Sequence, residues 1–132
     1  QFCDQLISLG SPHQALRATP LRAMVDRHFP GAFFPQVDYL AVAGTVDLAS
    51  STASGFSKRT AAANYRSIAG TDAVDGDGLV PVQSALLQGA RHQVLADTAH
   101  GGFFGSSWYG SEDRLSLWAD QIKSVGSRTN QA

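Results

Sequence analysis

Short apolar runs alternating with stretches of helical period set out this chain. Leu6-Ile7-Ser8-Leu9, closed by Gly10-Ser11-Pro12, predicts a buried parallel strand leading into a turn. Leu21, Val25 and Phe29 then recur every fourth residue, with Arg22, Asp26 and Arg27 on the other side. That spacing predicts an amphipathic helix starting near Thr19-Pro20 and stopped by Pro30-Gly31. Val37 to Gly44 predicts a second strand and His92 to Ala96 a third. Between them, Pro81 to Ala90 predicts a helix with Val82, Ala85 and Leu86 on one face and Gly89 as terminator. Ser111-Glu112-Asp113 offers a cap and an acidic first turn, and Leu115, Trp118, Ala119 and Ile122 predict the buried stripe of a last helix.

One stretch has no period. From Asp47 to Ala63 the chain is rich in Ser, Thr and Ala, and residues 47–70 read as an exposed insertion or lid-like excursion. The remaining order, strand and helix in alternation, predicts an α/β fold with parallel strands and helices on the faces of the sheet. Residues 1–126 form that unit, and 127–132 are a polar tail.

Composition narrows the function classes. The 132 residues, 43% hydrophobic and 16% charged, are enough for one compact unit with a core. Ten basic and eleven acidic residues give a net charge of −1, which leaves no electrostatic footprint for nucleic acid. No window approaches the roughly 18 apolar residues of a membrane span. One cysteine, Cys3, excludes an internal disulfide and reads as a small buried hydrophobe, in weak agreement with a reducing compartment. A start at Gln1, without methionine or leader pattern, reads as a cut end.

The chemistry concentrates in Asp75-Gly76-Asp77-Gly78-Leu79-Val80-Pro81 and, further on, Thr98-Ala99-His100-Gly101-Gly102. Asp77 and His100 lie on separate loops and are candidates for an acid and a general base, His100 because its small neighbours leave the ring free to reach a reacting hydroxyl. Asp77 is alternatively a turn residue whose side chain bonds its own backbone, and Asp75 competes for the acid role. His13, His28 and His92 read as loop, surface or strand-edge histidines. The Asp72, Asp75 and Asp77 group suggests calcium, but the register of a calcium loop puts Ala73 and Ser84 where ligands belong. Phe33, Phe34, Phe103, Phe104, Trp108 and Tyr109 line either an acyl pocket or a core.

Four stretches, Leu6-Ile7-Ser8-Leu9-Gly10-Ser11-Pro12-His13, Phe29-Pro30-Gly31-Ala32-Phe33, Gly76-Asp77-Gly78-Leu79-Val80-Pro81 and Trp108-Tyr109-Gly110-Ser111, occur in an order that resembles the α/β-hydrolase superfamily. The resemblance is to the lipase-like hydrolases of cyanobacteria and plant plastids, and to the C-terminal half of their fold. It implies that Asp77 is the acid and His100 the base of a serine triad, that the substrate is an acyl ester or lipid-like molecule, and that neither metal nor organic cofactor takes part. No Gly-x-Ser-x-Gly occurs. Gly105-Ser106-Ser107-Trp108-Tyr109 and Ala49-Ser50-Ser51-Thr52-Ala53 lack the closing glycine, so the nucleophile and oxyanion hole are expected upstream of Gln1.

Three functions compete. The chain is part of a serine ester hydrolase and nearly inactive alone. Alternatively, it is a non-catalytic binding or scaffolding module whose free sheet edge recruits the N-terminal half or another chain. In the third reading it is a small esterase that uses Ser106 or Ser107.

Overall fold

Three parallel strands form the centre of the computed structural model, which describes residues 3–49 and 54–122. Strand β1 (Gln5–Leu9) pairs with β2 (Asp38–Gly44), which pairs with β3 (Arg91–Leu95), in the order β1-β2-β3. The register sets Ile7 beside Leu40, Leu9 beside Val42, and Gly44 beside Leu95. Being central, β2 is covered on both faces, and Leu40, Ala41, Val42 and Ala43 are all buried. Its alternation divides the core. Leu40 and Val42 pack with Leu95 and Tyr109 on one face, while Ala43 packs with Val80 and Ala85 on the other.

Helix α1 (Pro20–His28) starts where expected: Thr19 accepts from the Arg22 amide, and Pro20 occupies the first turn, where its missing amide costs nothing. Its apolar side is not covered, however. Leu21, Met24, Val25 and Phe29 are all exposed, and α1 has no buried residue.

The segment read as an exposed insertion holds the longest helix among the described residues, α2 (Gly55–Ala69). Ser54 caps it, Gly70 ends it in the left-handed conformation, and Ser57, Ala61 and Tyr65 are buried one turn apart. The stripe escapes a hydrophobicity reading because two of its three members are Ser and Ala. Ser50, Ser51, Thr52 and Ala53 lie outside the described residues, as does the 127–132 tail.

The helix expected over Pro81 to Ala90 is a single turn, α3 (Val82–Ala85). The Ser84 carbonyl, which a longer helix would use internally, accepts instead from the His13 and Gln14 amides at 2.7 and 3.1 Å, and Leu86 turns extended. The last helix, α4 (Glu112–Ala119), buries less than its stripe predicts. Trp118 packs against the Leu40 cluster, but Leu115 and Ile122 are exposed. Cys3 is also exposed rather than buried, its thiol directed at the Gln5 carbonyl. No helix among the described residues is long and apolar enough to cross a membrane.

Candidate active site

Asp77 and His100 meet. The His100 Nδ1 lies 3.0 Å from Asp77 Oδ2, and the His100 amide donates to the Asp77 carbonyl at 2.8 Å, so side chain and backbone are locked together. Both residues lie on loops at the carboxyl ends of the strands. The Asp77 loop is tied to β2 by the Val46 amide, which donates to the Gly76 carbonyl, and the His100 loop by the Thr98 amide, which donates to the Thr45 carbonyl. The His100 loop follows β3 directly, whereas the Asp77 loop follows α2 and is brought to the same side of the sheet by the Val46 hydrogen bond.

The two carboxylate oxygens of Asp77 have separate partners. Oδ1 accepts from the Leu79 and Val80 amides at 3.0 and 2.8 Å, which is the turn role. Oδ2 accepts from His100 and from the Tyr109 hydroxyl, the latter at 2.8 Å. With 1% of its surface exposed, Asp77 has little access to water, and these four donors replace hydration. Asp75 is exposed and Asp72 pairs with Arg66, so neither competes for His100. Among the described residues no three His, Cys, Asp or Glu side chains are grouped to hold a metal ion.

Asp77 as acceptor makes Nδ1 the protonated ring nitrogen of neutral His100, leaving Nε2 as the basic one. The His100 side chain is 32% exposed, and the glycines that follow it have open space: a Cβ at Gly101 or Gly102 would meet nothing within 4 Å. A half-buried imidazole anchored through Nδ1 can take a proton from a group that reaches Nε2.

Sequence reasoning did not single out three residues that build this cluster. Gly10, at the end of β1, has φ +56°, and a Cβ there would collide with Asp77 Oδ2 and the Tyr109 ring. Tyr65 reaches in from α2, its hydroxyl accepting from the Gly78 amide at 2.7 Å, and burial pushes its pKa up to about 12. Gly44 ends β2 against the Tyr109 hydroxyl, and a Cβ there would lie 3.0 Å from that oxygen. The position of Gly10 directly after an apolar run was an available signal, whereas Tyr65 had none in the absence of a visible α2 period.

The aromatic group divides. Tyr109 and Phe104 are buried in the core, and Phe104 fills the space that a side chain at Gly78 would need. Phe103 and Trp108 are exposed, and Phe103 meets the exposed Phe56 of α2 edge-on at 6.1 Å. A hollow of about 460 Å³ between α2 and the Asp75 loop is lined by Asp47, Lys58, Asp72, Asp75 and Asp97, without Asp77 or His100.

The other histidines have ordinary partners. The His13 Nε2 lies 2.9 Å from the Ser8 hydroxyl, and His92 Nε2 lies 2.7 Å from the Leu87 carbonyl. Ser107 donates to Asp113 at 2.6 Å rather than facing a histidine. Comparison with protein-family models, characterised proteins and solved structures gives no match to this chain.

Proposed function

We propose that this chain supplies the acid and the general base of a serine ester hydrolase, as the C-terminal half of an α/β-hydrolase fold. The observation that carries the reading is the Asp77 carboxylate, buried and fixed through one oxygen by two backbone amides while the other oxygen holds His100 Nδ1 at 3.0 Å. In a buried structural ion pair both partners turn inward. Here the imidazole is only half-buried while its anchor is fully hidden, which suits proton transfer to an incoming group.

The reaction follows from that geometry. A serine hydroxyl brought to His100 Nε2 loses its proton as its oxygen bonds to the acyl carbon. The imidazolium, stabilised by Asp77, returns the proton to the departing alcohol, and water repeats the sequence to release the acid. Oxyanion donors, each worth about 3 kcal/mol, would come with the nucleophile. The α/β-hydrolase reading puts serine and donors on a strand and helix added beyond β1, either from polypeptide preceding Gln1 or from another chain. Exposed Leu6 on β1, and exposed Val25, Phe29 and Phe33 on the flank made by α1 and the loop after it, offer apolar surface for such an addition. The same flank favours the second reading, a hydrolase-derived module that binds a partner without catalysis.

Labelling with a fluorophosphonate decides between them. Polypeptide extended by the residues encoded ahead of Gln1 is expected to label on a serine and to hydrolyse a p-nitrophenyl ester, with both lost in His100→Ala. An extended, folded protein that neither labels nor turns over the ester overturns the hydrolase reading and leaves the module. Labelling of Ser106 or Ser107 in the present chain selects the small-esterase reading.

A further inference from the structure

We propose that Tyr109 is a positioning residue that tempers the hold of Asp77 on His100, by sharing the one carboxylate oxygen to which the histidine is bonded. The inference rests on the reading of Asp77 and His100 as acid and base, and concerns what sets the strength of their bond.

Three observations give Tyr109 that role. First, its hydroxyl donates to Asp77 Oδ2 at 2.8 Å, and His100 Nδ1 lies 3.0 Å from the same atom, whereas Oδ1 is fully engaged by the Leu79 and Val80 amides. The carboxylate therefore cannot give each donor an oxygen of its own. Second, the direction of the phenol proton is set. An ionised carboxylate can only accept, so the Tyr109 hydroxyl is the donor and its proton points at Asp77 Oδ2. Burial and the neighbouring Asp77 charge raise the phenol pKa well above that of an exposed tyrosine, which keeps this proton in place. Third, the ring cannot leave. Tyr109 is 4% exposed, its carbonyl accepts from the Trp118 indole at 2.8 Å, and it packs with Leu40, Val42 and Leu95.

Two donors on one carboxylate oxygen compete, because each draws electron density that the other would use. The other titratable groups facing the cluster are Tyr65 from α2, whose hydroxyl is occupied by the Gly78 amide, and Asp75 on the acid loop. Neither has a hydrogen bond to Asp77 Oδ2, so the division of that oxygen falls to Tyr109 and His100.

Proton NMR of the His100 Nδ1–H in the folded chain reads this division without any need for activity. Wild type is expected to show a downfield Nδ1–H resonance that Asp77→Asn removes. Tyr109→Phe is expected to move it further downfield, and 3-fluorotyrosine at position 109, a stronger donor of the same shape, to move it upfield. Where Tyr109→Phe does not fold, the fluorinated protein decides alone. A resonance that Asp77→Asn removes but neither change at position 109 moves overturns the role of Tyr109 and leaves the acid–histidine pair standing. A His100 Nδ1–H resonance that is missing in wild type, or indifferent to Asp77→Asn, overturns the pair and this inference with it.

Discussion

The loops at the carboxyl ends of the strands and the flank made by α1 and the loop after it follow opposite rules. At the strand ends, polar groups are buried and satisfied: Asp77 accepts from four donors, Thr98 is fully buried with its hydroxyl bonded to the Ala96 carbonyl, and the Tyr109 hydroxyl donates to Asp77. Along the flank, apolar groups are exposed without cover, with Leu21, Val25, Phe29, Phe33 and Phe34 on the surface and the three phenylalanines in contact with one another. Burial of polar atoms is tolerated only where every partner is supplied, so the strand-end cluster has to be complete as it stands. Exposed apolar surface costs nothing in hydrogen bonds and gains free energy on being covered, so the flank is the region where an addition stabilises. The contrast predicts that mutations at the strand ends damage the chain itself, and that mutations on the flank damage only what binds to it.

The largest expected effect is catalytic. In an extended polypeptide that carries the nucleophile, Asp77→Asn is expected to lower kcat by about 10⁴ while the fold persists, because the amide donates to His100 Nδ1 and so leaves the ring proton on Nε2, where the base is needed. Burst and steady-state kinetics on a p-nitrophenyl ester measure this. A loss below tenfold would remove Asp77 from the acid role and reduce the cluster to a structural turn.

Stability gives the next effects. Asp77→Ala leaves the buried Val80 amide, the Tyr109 hydroxyl and the His100 imidazole without their acceptor, and is expected to cost about 3 to 5 kcal/mol in urea unfolding. Gly10→Ala forces a Cβ into Asp77 Oδ2 and the Tyr109 ring at a positive φ, for about 1 to 3 kcal/mol. Gly101→Ala, beside His100 but facing open space, is its control and is expected to stay within about 0.5 kcal/mol. On the flank, Phe29→Ser is also expected to change stability by no more than about 0.5 kcal/mol. The same change should reduce binding of a hydrophobic dye. A loss of several kcal/mol at Phe29 would show that the flank is core and break the contrast.

The two regions also differ in how far the sequence discloses them. The strands announce themselves because β2 carries Leu40 to Ala43 as an unbroken apolar run, a pattern that only a doubly covered strand needs. Asp77 and His100 were legible through the glycines and prolines that flank them, which mark loops. The α2 helix was not legible, since Ser57 and Ala61 pack by being small, and small residues leave no hydrophobic period. The flank misled in the opposite sense: Leu21, Val25 and Phe29 have the period of a buried face, but periodicity states what a helix can cover and not whether a partner is there. The end of α3 is a third case, decided by the distant His13 and Gln14 amides, which no local pattern around Ser84 contains.

His13 joins the two regions and gives the smallest of the expected effects. Its ring bonds Ser8 of β1, while its carbonyl accepts from the Arg22 guanidinium of α1 at 2.6 Å. Burial first, and the Arg22 charge second, lower its pKa from 6.5, with Asp26 opposing. A histidine depressed in the folded state takes up its proton in the unfolded chain first as pH falls. Stability is therefore expected to be level above the unfolded value near 6.5, and to decline below it until the lower folded value is reached. Urea midpoints between pH 7.5 and 5 for wild type and His13→Gln isolate this contribution, since glutamine retains a polar contact to Ser8 and cannot titrate. A smaller decline in the variant confirms that β1 and α1 are tied through a neutral imidazole. Equal declines would assign the acid sensitivity to the carboxylates instead, and would leave α1 bound to the sheet by little more than the Arg22 hydrogen bonds to the turn.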